Sequence, residues 1–282
     1  MSDQKEEHRV IRRIVIGVDA SPYSLAALRA GVNLAAQFGA SVTALFVQDT
    51  DLLHAASLPV AREVRAFARA PHSLQKDEIR TQFQRMAERA RRELEELARA
   101  QRIEHSFQTI EGRVAEALIS AAREADLLAV GKASKRSSRR KLGTTALHVL
   151  RDAPTSVLVL GELAAPEKRV VVYDDGSEAA ERAIDLAAQI AQQSRNSLSV
   201  LLSSKDADVQ REREEWLQRT YGSAVSNLKI RPLRPAEMVY IGSAVYSESA
   251  GLFVTPATGL PSEPGQVRKV MYEANAPVLV VR

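Results

Sequence analysis

The sequence of 282 residues contains no cysteine, few aromatic residues and no long hydrophobic run. The absence of cysteine excludes disulfides, thiolate metal sites and thiol catalysis. No apolar stretch approaches the roughly 20 residues that span a bilayer, so no membrane segment is expected. The charged start, MSDQKEEHRV, lacks the apolar core of a secretory signal peptide. These absences predict a soluble, cytoplasmic protein.

The basic residues of the chain are concentrated in one stretch. Residues 131–145, GKASKRSSRRKLGTT, hold six basic residues and no acidic one, and the formal net charge of the whole chain is +4. The rest of the chain is therefore slightly acidic. Surfaces that bind nucleic acid often combine such cations with aromatic side chains for base stacking. This stretch contains no aromatic residue, which counts against nucleic acid as a partner.

The chain consists of two similar units. RIVIGVDAS, from Arg13, is similar to RVVVYDDGS, from Arg169, and in each an Asp is followed two residues later by a Ser. The closing segments HVLRDAPTSVLVL and KVMYEANAPVLVV align without gaps. A length of 282 residues suits about two domains. We predict an N-terminal unit, residues 1–161, and a C-terminal unit, residues 168–282, joined by a short linker.

Each unit alternates short apolar runs with amphipathic stretches. Ser21, Pro22 and Gly39 are typical of the start and the end of a helix. Continuous Val, Ile and Leu runs are expected in a parallel sheet that helices cover on both faces. The predicted fold class is therefore α/β, with a doubly wound parallel sheet present twice in tandem. Such sheets bind ligands beyond the carboxyl ends of the strands, where the strand order reverses.

The motifs GVDAS, LFVQD, EGRVAEAL and AVGKAS…LGTTALHVLRDAPTSVLVL resemble the universal stress protein family. The resemblance covers nearly the whole chain as a tandem pair. It implies Rossmann-like domains, similar to those of adenine nucleotide alpha hydrolases, and a cytosolic role in stress response or regulation.

In ATP-binding members of that family, an Asp after the first strand and the backbone at the end of the second strand hold the nucleoside. A loop of the form Gly-x2-Gly-x9-Gly-Ser/Thr holds the phosphates. The resemblance therefore implies a site for an adenine nucleotide, ATP with Mg²⁺, in the N-terminal unit. The expected site residues are Asp19, Val47, Gly112, Gly131, Ser134, Gly143, Thr144 and Thr145.

The sequence departs from that loop pattern in both units. Ser134 replaces the second glycine, and eight residues rather than nine separate it from Gly143. Glycine permits a positive φ and a close approach of backbone amides to phosphate. The C-terminal unit has TPATGLPSEPGQ in place of the loop, with prolines that lack an amide donor and a Glu that repels phosphate. Leu233 stands where the N-terminal unit has Gly112. We expect no nucleotide in the C-terminal unit.

Each candidate residue also has a purely structural interpretation. Asp19 is a common choice for a turn before a helix, Gly131 can serve close packing, and a run of charges is usually a solvated surface. The alternative function is a nucleotide-free dimeric scaffold whose basic loop, residues 132–141, docks an acidic protein or a nucleic acid. The five histidines show no metal-ligand spacing, and no P-loop or GxSxG motif occurs, so an enzyme is not expected.

Two further expectations concern association and one uncertain segment. If the sheet order follows that of the family, the closing strands SVLVL and PVLVV are edge strands, and exposed apolar edges invite pairing. In the family such strands make the dimer contact, which implies an internal pseudo-dimer of the two units and allows a homodimer of the chain. Residues 51–76 have near-helical spacing broken by Pro59 and Pro71. This segment is a lid, a partner-binding face or an ordinary connection.

Overall fold

The structure is a computed structural model, and it describes residues 11–56, 62–63, 72–73, 76–133, 142–161, 169–204, 206–233 and 240–282. The strands are β1 (Arg13–Val18), β2 (Ser41–Asp49), β3 (Arg62–Glu63), β4 (His72–Ser73), β5 (His105–Gly112), β6 (Leu127–Gly131), β7 (Ser156–Leu160), β8 (Val170–Asp174), β9 (Leu198–Leu202), β10 (Leu228–Pro232), β11 (Leu252–Pro256) and β12 (Val278–Val281). The helices are α1 (Pro22–Phe38), α2 (Thr50–Ala56), α3 (Lys76–Gln101), α4 (Val114–Ala122), α5 (Thr144–Asp152), α6 (Glu178–Ser194), α7 (Ala207–Tyr221), α8 (Ile241–Ser247) and α9 (Pro264–Glu273). A short 3-10 helix, Ala257–Gly259, follows β11.

Helix α1 begins and ends at the residues that the sequence indicated. The Ser21 hydroxyl accepts a hydrogen bond from the backbone N–H of Ser24 at 3.2 Å, and Pro22 is the first helical residue. Gly39 ends the helix with a φ of 64°, in the left-handed region that glycine adopts without strain. These local predictions are confirmed.

Helices cover both faces of the sheet. Helices α1, α3, α6 and α7 pack on one face through a single apolar cluster, and α4, α5, α8 and α9 pack on the other. Helix α3 buries Ile79, Phe83 and Leu94 at the predicted three- and four-residue spacing. Strand β6 and residues 170–172 of β8 are apolar because both faces of these strands are covered. The predicted α/β fold class is confirmed.

The strands of both units form one continuous sheet in the order β10-β9-β8-β11-β12-β7-β6-β1-β2-β5. Neighbouring strands are parallel except for β7 and β12, which pair antiparallel with Leu158 opposite Leu279. These are the closing strands through which the two units were expected to associate. Each half of the sheet has its own reversal of strand order, between β1 and β6 and between β8 and β11.

Two cationic side chains connect the units across this seam. The Lys132 ammonium donates to the Met271 carbonyl near the end of α9 at 2.7 Å. The Arg282 guanidinium donates to the Thr155 carbonyl at 3.1 Å and to the Leu150 carbonyl near the end of α5. Cations are favourable at helix C-termini because the backbone carbonyls there carry partial negative charge. Each unit therefore supplies a cation to the other.

Several predictions fall partly outside the described residues. Of the connection 51–76, the described part comprises most of α2, the paired strands β3 and β4, and Lys76. Pro59 and Pro71 lie outside it, so the three interpretations of this connection stay open. The linker after Gly161 also lies outside the described residues. The unit boundaries, 1–161 and 168–282, stay a prediction.

Candidate functional site

The candidate site of the N-terminal unit lies at the carboxyl ends of β1, β2 and β6. β1 pairs with β2 on one side and with β6 on the other. The helix that follows β1, α1, packs on one face of the sheet, and the helix that follows β6, α5, packs on the other face. Asp19 follows β1 directly, and Gly131 is the last residue of β6. This is the kind of crevice in which doubly wound sheets bind ligands.

Asp19 holds the turn that leads into α1. Its Oδ1 accepts a hydrogen bond from the Ser21 N–H at 2.9 Å, and its own N–H donates to the Ser24 hydroxyl at 3.1 Å. Ala20 between them has a φ of 53°, which is strained for a residue with a side chain. Asp19 therefore has the structural role of holding a turn before a helix. Its Oδ2 has no hydrogen-bond partner among the described residues, so the half-buried carboxylate retains an acceptor.

Gly131 is a site of close packing. A Cβ on this residue would lie 2.8 Å from the Tyr23 carbonyl carbon and 2.9 Å from the Ser24 nitrogen. The end of β6 thus touches the backbone of the first turn of α1, which only glycine permits without a shift. The packing role of Gly131 is real, and it also brings the start of the basic stretch next to Asp19.

The two ends of the basic stretch are hydrogen-bonded to each other. The Gly143 N–H donates to the Lys132 carbonyl at 2.8 Å, and the Lys132 N–H donates to the Leu160 carbonyl at 2.6 Å. Residues 134–141 between them lie outside the described residues, and they include Ser134. This closed base fixes where the stretch leaves the sheet and where it returns.

Lys132, the first cation of the basic stretch, contacts the C-terminal unit. It was counted with the loop 132–141 that would dock an acidic partner or a nucleic acid. Its ammonium instead donates to the Met271 carbonyl of the C-terminal unit, and burial lowers the pKa of Lys132 below its ordinary value. The apolar stem of Lys132 packs at the seam between the units, and its ammonium reaches a helix carbonyl there. Any docking surface begins after this residue.

Among the described residues, no side chain caps the backbone amides at the N-terminus of α5. Gly143 is the N-cap, with a ψ of 157° and no side-chain capping bond, and the first turn contains no acidic residue. Thr144 is exposed and Thr145 half-buried. Uncapped helix N-termini attract anions through their amides and the helix dipole. Three of the expected site residues therefore lie together at this end of α5.

Val47 and Gly112 share the same edge of the sheet but contribute differently. β1 ends with Val18 opposite Phe46, so the β2 backbone continues past the end of β1 from Val47 onward. The Val47 side chain packs in the core beside α4 and α5, which leaves only its backbone for a ligand. Gly112 lies opposite Asp49 on β5, the outermost strand. It is separated from β1 by the whole width of β2.

The C-terminal unit has an equivalent turn, in which both carboxylate oxygens of Asp175 accept hydrogen bonds. Asp175 Oδ1 accepts from the Ser177 N–H at 3.0 Å and from its hydroxyl at 2.5 Å, and Oδ2 accepts from the Thr258 hydroxyl at 3.0 Å. Helix α9, the counterpart of α5, begins at Pro264 after Glu263. Proline has no amide to donate, and the glutamate carboxylate repels an anion. This end of the unit is unsuited to phosphate.

The strand register corrects the alignment of Leu233 with Gly112. Pro232 lies opposite Leu202, whose counterpart in the repeat, Phe46, lies opposite Thr109. Leu233 therefore corresponds to the residue after Thr109, two positions before Gly112. Apolar similarity alone did not determine this register, because several shifts of a short strand conserve its pattern.

A cavity of about 720 Å³ lies at the carboxyl ends of β8 and β9, and sequence reasoning missed it. Its lining includes Tyr173, Arg213 and Trp216. Trp216 is the only tryptophan of the chain, which was the one available signal. The Arg213 guanidinium lies 4.2 Å from the Trp216 ring centroid and donates to the buried Asp174 and to Glu181, each at 2.8 Å. Burial acts to lower the pKa of Arg213, but the hydrogen bonds and charges of Asp174 and Glu181 outweigh burial, so this pKa is raised above its ordinary value.

Within the described residues, no group of three or more His, Asp or Glu side chains is arranged to hold a metal ion. No helix there is both long and apolar enough to cross a membrane.

Comparison with known proteins gives one family and a set of similar folds. The sequence profile described as the universal stress protein family matches residues 11–161, more than half of the chain. A universal stress protein from Archaeoglobus fulgidus DSM 4304 is similar over 98% of this chain and 99% of its own, with 17% identity and a TM-score of 0.70. A putative universal stress protein from Pseudomonas aeruginosa UCBPP-PA14 covers 97% and 94%, with 16% identity and a TM-score of 0.65. No curated protein sequence matches the chain significantly.

The cytoplasmic domain of a prokaryotic cation chloride cotransporter is also similar in fold. It covers 96% of this chain and 94% of its own, with 14% identity and a TM-score of 0.55. Identities this low establish the shared fold alone. A sheet of this arrangement thus serves proteins of different kinds.

Proposed function

The chain belongs to the universal stress protein family, and we propose that its N-terminal unit binds an adenine nucleotide, ATP with Mg²⁺. In this proposal the protein is a cytoplasmic regulator rather than an enzyme, and the bound nucleotide changes its conformation or its partners. The C-terminal unit acts as the structural mate in an internal pseudo-dimer. Two chains associate further as a homodimer.

The observation that supports the proposal is that Asp19 and Gly131 follow or end two neighbouring strands, β1 and β6, and that the segment after β6 leads to the N-terminus of α5. Asp19 Oδ2 can accept a hydrogen bond from a ribose hydroxyl or a base amine. The amides that follow Gly143 can donate to phosphate oxygens, and no first-turn carboxylate competes. Gly131 brings the two sides together, since it packs against the first turn of α1.

The altered loop does not remove these groups. Ser134 and the missing residue change the segment between the two ends, while Gly143 stays hydrogen-bonded to Lys132 at the base. The cations of this segment are Lys135, Arg136, Arg139, Arg140 and Lys141. They would supply attraction at a range of about 8 Å under physiological salt. Mg²⁺ would arrive with the nucleotide, because it prefers phosphate and water oxygens to an all-protein cage.

Calorimetric titration with Mg-ATP tests the proposal on three proteins: the wild type, Asp19→Ala and Asp175→Ala. We expect one site per chain in the wild type. Loss of a charge-assisted hydrogen bond should weaken binding about tenfold or more in Asp19→Ala. Asp175→Ala removes the equivalent turn contact from the C-terminal unit and should leave binding unchanged. Absence of heat at millimolar ATP, or equal effects of both variants, would refute the proposal.

A second candidate function follows from the charge of residues 135–141, which contain five cations and no acid. In a nucleotide-free scaffold this segment docks an acidic protein surface or a nucleic-acid backbone. Neutralising Arg136, Arg139 and Arg140 together would then abolish partner binding, while Asp19→Ala would leave it intact. Nucleic-acid affinity would also fall steeply with salt as counterions are released.

A further inference from the structure

The cavity of the C-terminal unit has the size and the position of a ligand site. Its volume of about 720 Å³ lies within the roughly 300–1,000 Å³ range typical of small-molecule pockets. It opens beyond the carboxyl ends of β8 and β9, on the side of the sheet where α7 packs. We propose that this cavity binds a small organic cation that carries a flat apolar ring.

The apolar part of the lining suits a ring. Tyr173 and Leu202, both buried, come from the ends of the two strands, and Val209 and Trp216 come from α7. Trp216 already accepts the Arg213 guanidinium against its ring, at 4.2 Å, which shows that this indole is positioned for cation–π contact. Aromatic and aliphatic surface of this kind gains from covering a flat ligand.

The charged part of the lining selects a cation. Asp175, Asp206 and Glu212 place three carboxylates around the cavity. Among the described residues that line the cavity, Arg213 is the only basic one. Its guanidinium already donates hydrogen bonds to Asp174 and Glu181. Among the described residues of the lining, an anionic ligand would meet three carboxylates and no cation that lacks a carboxylate partner, whereas an amine or amidine would be attracted by all three carboxylates.

Glu212 is the carboxylate that can be changed without damage to the fold. Asp206 caps α7 by accepting the N–H groups of Asp208 and Val209, and Asp175 holds its own turn. Glu212 is exposed and makes no hydrogen bond or ion pair with the described residues. Its substitution therefore alters the charge of the cavity and little else. Glu215, also exposed and on the same helix, does not line the cavity and provides a matched control.

The inference is independent of nucleotide binding by the N-terminal unit. The two proposals involve different units and opposite ligand charges, so either can fail alone. Because Trp216 is the only tryptophan, its fluorescence reports occupancy of this cavity directly.

The experiment compares three probes of nearly the same shape on the full chain: benzamidine, which is cationic, benzamide, which is neutral, and benzoate, which is anionic. We expect saturable quenching of Trp216 fluorescence with affinity in the order benzamidine, benzamide, benzoate. Glu212→Lys should weaken benzamidine about two- to fivefold, the size of an exposed ion pair, and Glu215→Lys should not.

Three results would overturn the inference. The first is no saturable response to benzamidine in the millimolar range. The second is benzoate binding as well as benzamidine or better. The third is an equal loss of benzamidine affinity in Glu212→Lys and Glu215→Lys, which would indicate attraction by the whole protein rather than by the cavity.

Discussion

The two units place equivalent helices, α5 and α9, at the carboxyl ends of their own strands, but the N-termini of these helices differ in chemistry. In the N-terminal unit α5 begins after Gly143, its first turn contains no acid, and none of the described side chains caps its amides. In the C-terminal unit α9 begins with Pro264 after Glu263. The fold thus supplies the location twice, and two residues at a helix start decide whether an anion is favourable there.

The two aspartates that follow the first strand of each unit teach the same lesson. Both hold a turn onto a Ser two residues later, so both satisfy the same structural need. Asp175 also accepts from Thr258, whereas Asp19 Oδ2 has no partner among the described residues. The turn residue between them is Gly176 in one unit and the strained Ala20 in the other. Strain of this kind concentrates at functional sites.

The largest effect is expected at a charge cluster that only the C-terminal unit has. The Glu248 side chain is 4% exposed and lies within 3.0 Å of the Lys229 ammonium and the Arg169 guanidinium. Glu248→Gln leaves these cations without their carboxylate and should lower the free energy of unfolding by about 2–3 kcal/mol. Arg123, its counterpart in the repeat, is exposed, and Arg123→Gln should change stability little. Urea unfolding of both variants checks this, and equal values would contradict it.

The same cluster gives a pH dependence. Burial acts to raise the pKa of Glu248, but hydrogen bonds from Lys229 and Ser199 and the charge of Lys229 outweigh burial, so this pKa is lowered. Its contribution to stability is therefore present above the ordinary glutamate pKa and is lost as pH falls through the lowered value. Glu248→Gln should lose less stability than the wild type between neutral and acidic pH. An equal loss of stability in Glu248→Gln and in the wild type between neutral and acidic pH would be inconsistent with a charged Glu248.

The next effect concerns two glycines of the N-terminal unit. Gly131→Ala would place a Cβ against the first turn of α1 and should destabilise by about 2 kcal/mol through overpacking. Gly112→Ala meets nothing closer than 3.9 Å and should cost little by this mechanism. The C-terminal unit has Pro256 at the position of Gly131. Thermal unfolding of the two variants should separate them, and a Gly131→Ala protein as stable as Gly112→Ala would disprove the close contact.

The smallest effect is expected at the seam. Lys132→Met retains the apolar stem and removes the hydrogen bond to the Met271 carbonyl, while it also removes the burial cost of the ammonium. The net loss should be about 1 kcal/mol. Lys269→Met, on the exposed side of α9, is the control and should cost less. If denaturant midpoints ranked these two variants in the reverse order, Lys132 would not be a stabilising link between the units.

Sequence reasoning succeeded where the signal is local. Ser21, Pro22 and Gly39 determine their helix ends through bonds within a few residues, and the spacing of apolar residues predicted α1 and α3. The fold class followed from the alternation of such elements. The pairing of β7 with β12 was expected from the resemblance to a family rather than from the residues themselves.

Sequence reasoning failed where side chains meet across long separations. The contact of Lys132 with Met271 spans 139 positions, and nothing in the local pattern of either residue announces it. The Trp216 cavity depends on how α7 packs over the ends of β8 and β9. Leu233 was misaligned because the register of a short strand is set by its neighbour in the sheet. These features arise from packing, which a repeat alignment does not contain.

The most direct test of the difference between the units is photolabelling of the full chain with an azido-substituted ATP in the presence of Mg²⁺, followed by peptide mapping. We expect label on peptides of the N-terminal unit, from the segments around Asp19 or Gly131, and competition by unlabelled ATP. Label on peptides that contain Trp216 or Asp175, or equal label in both units, would contradict the central claim that only the N-terminal unit accepts a nucleotide.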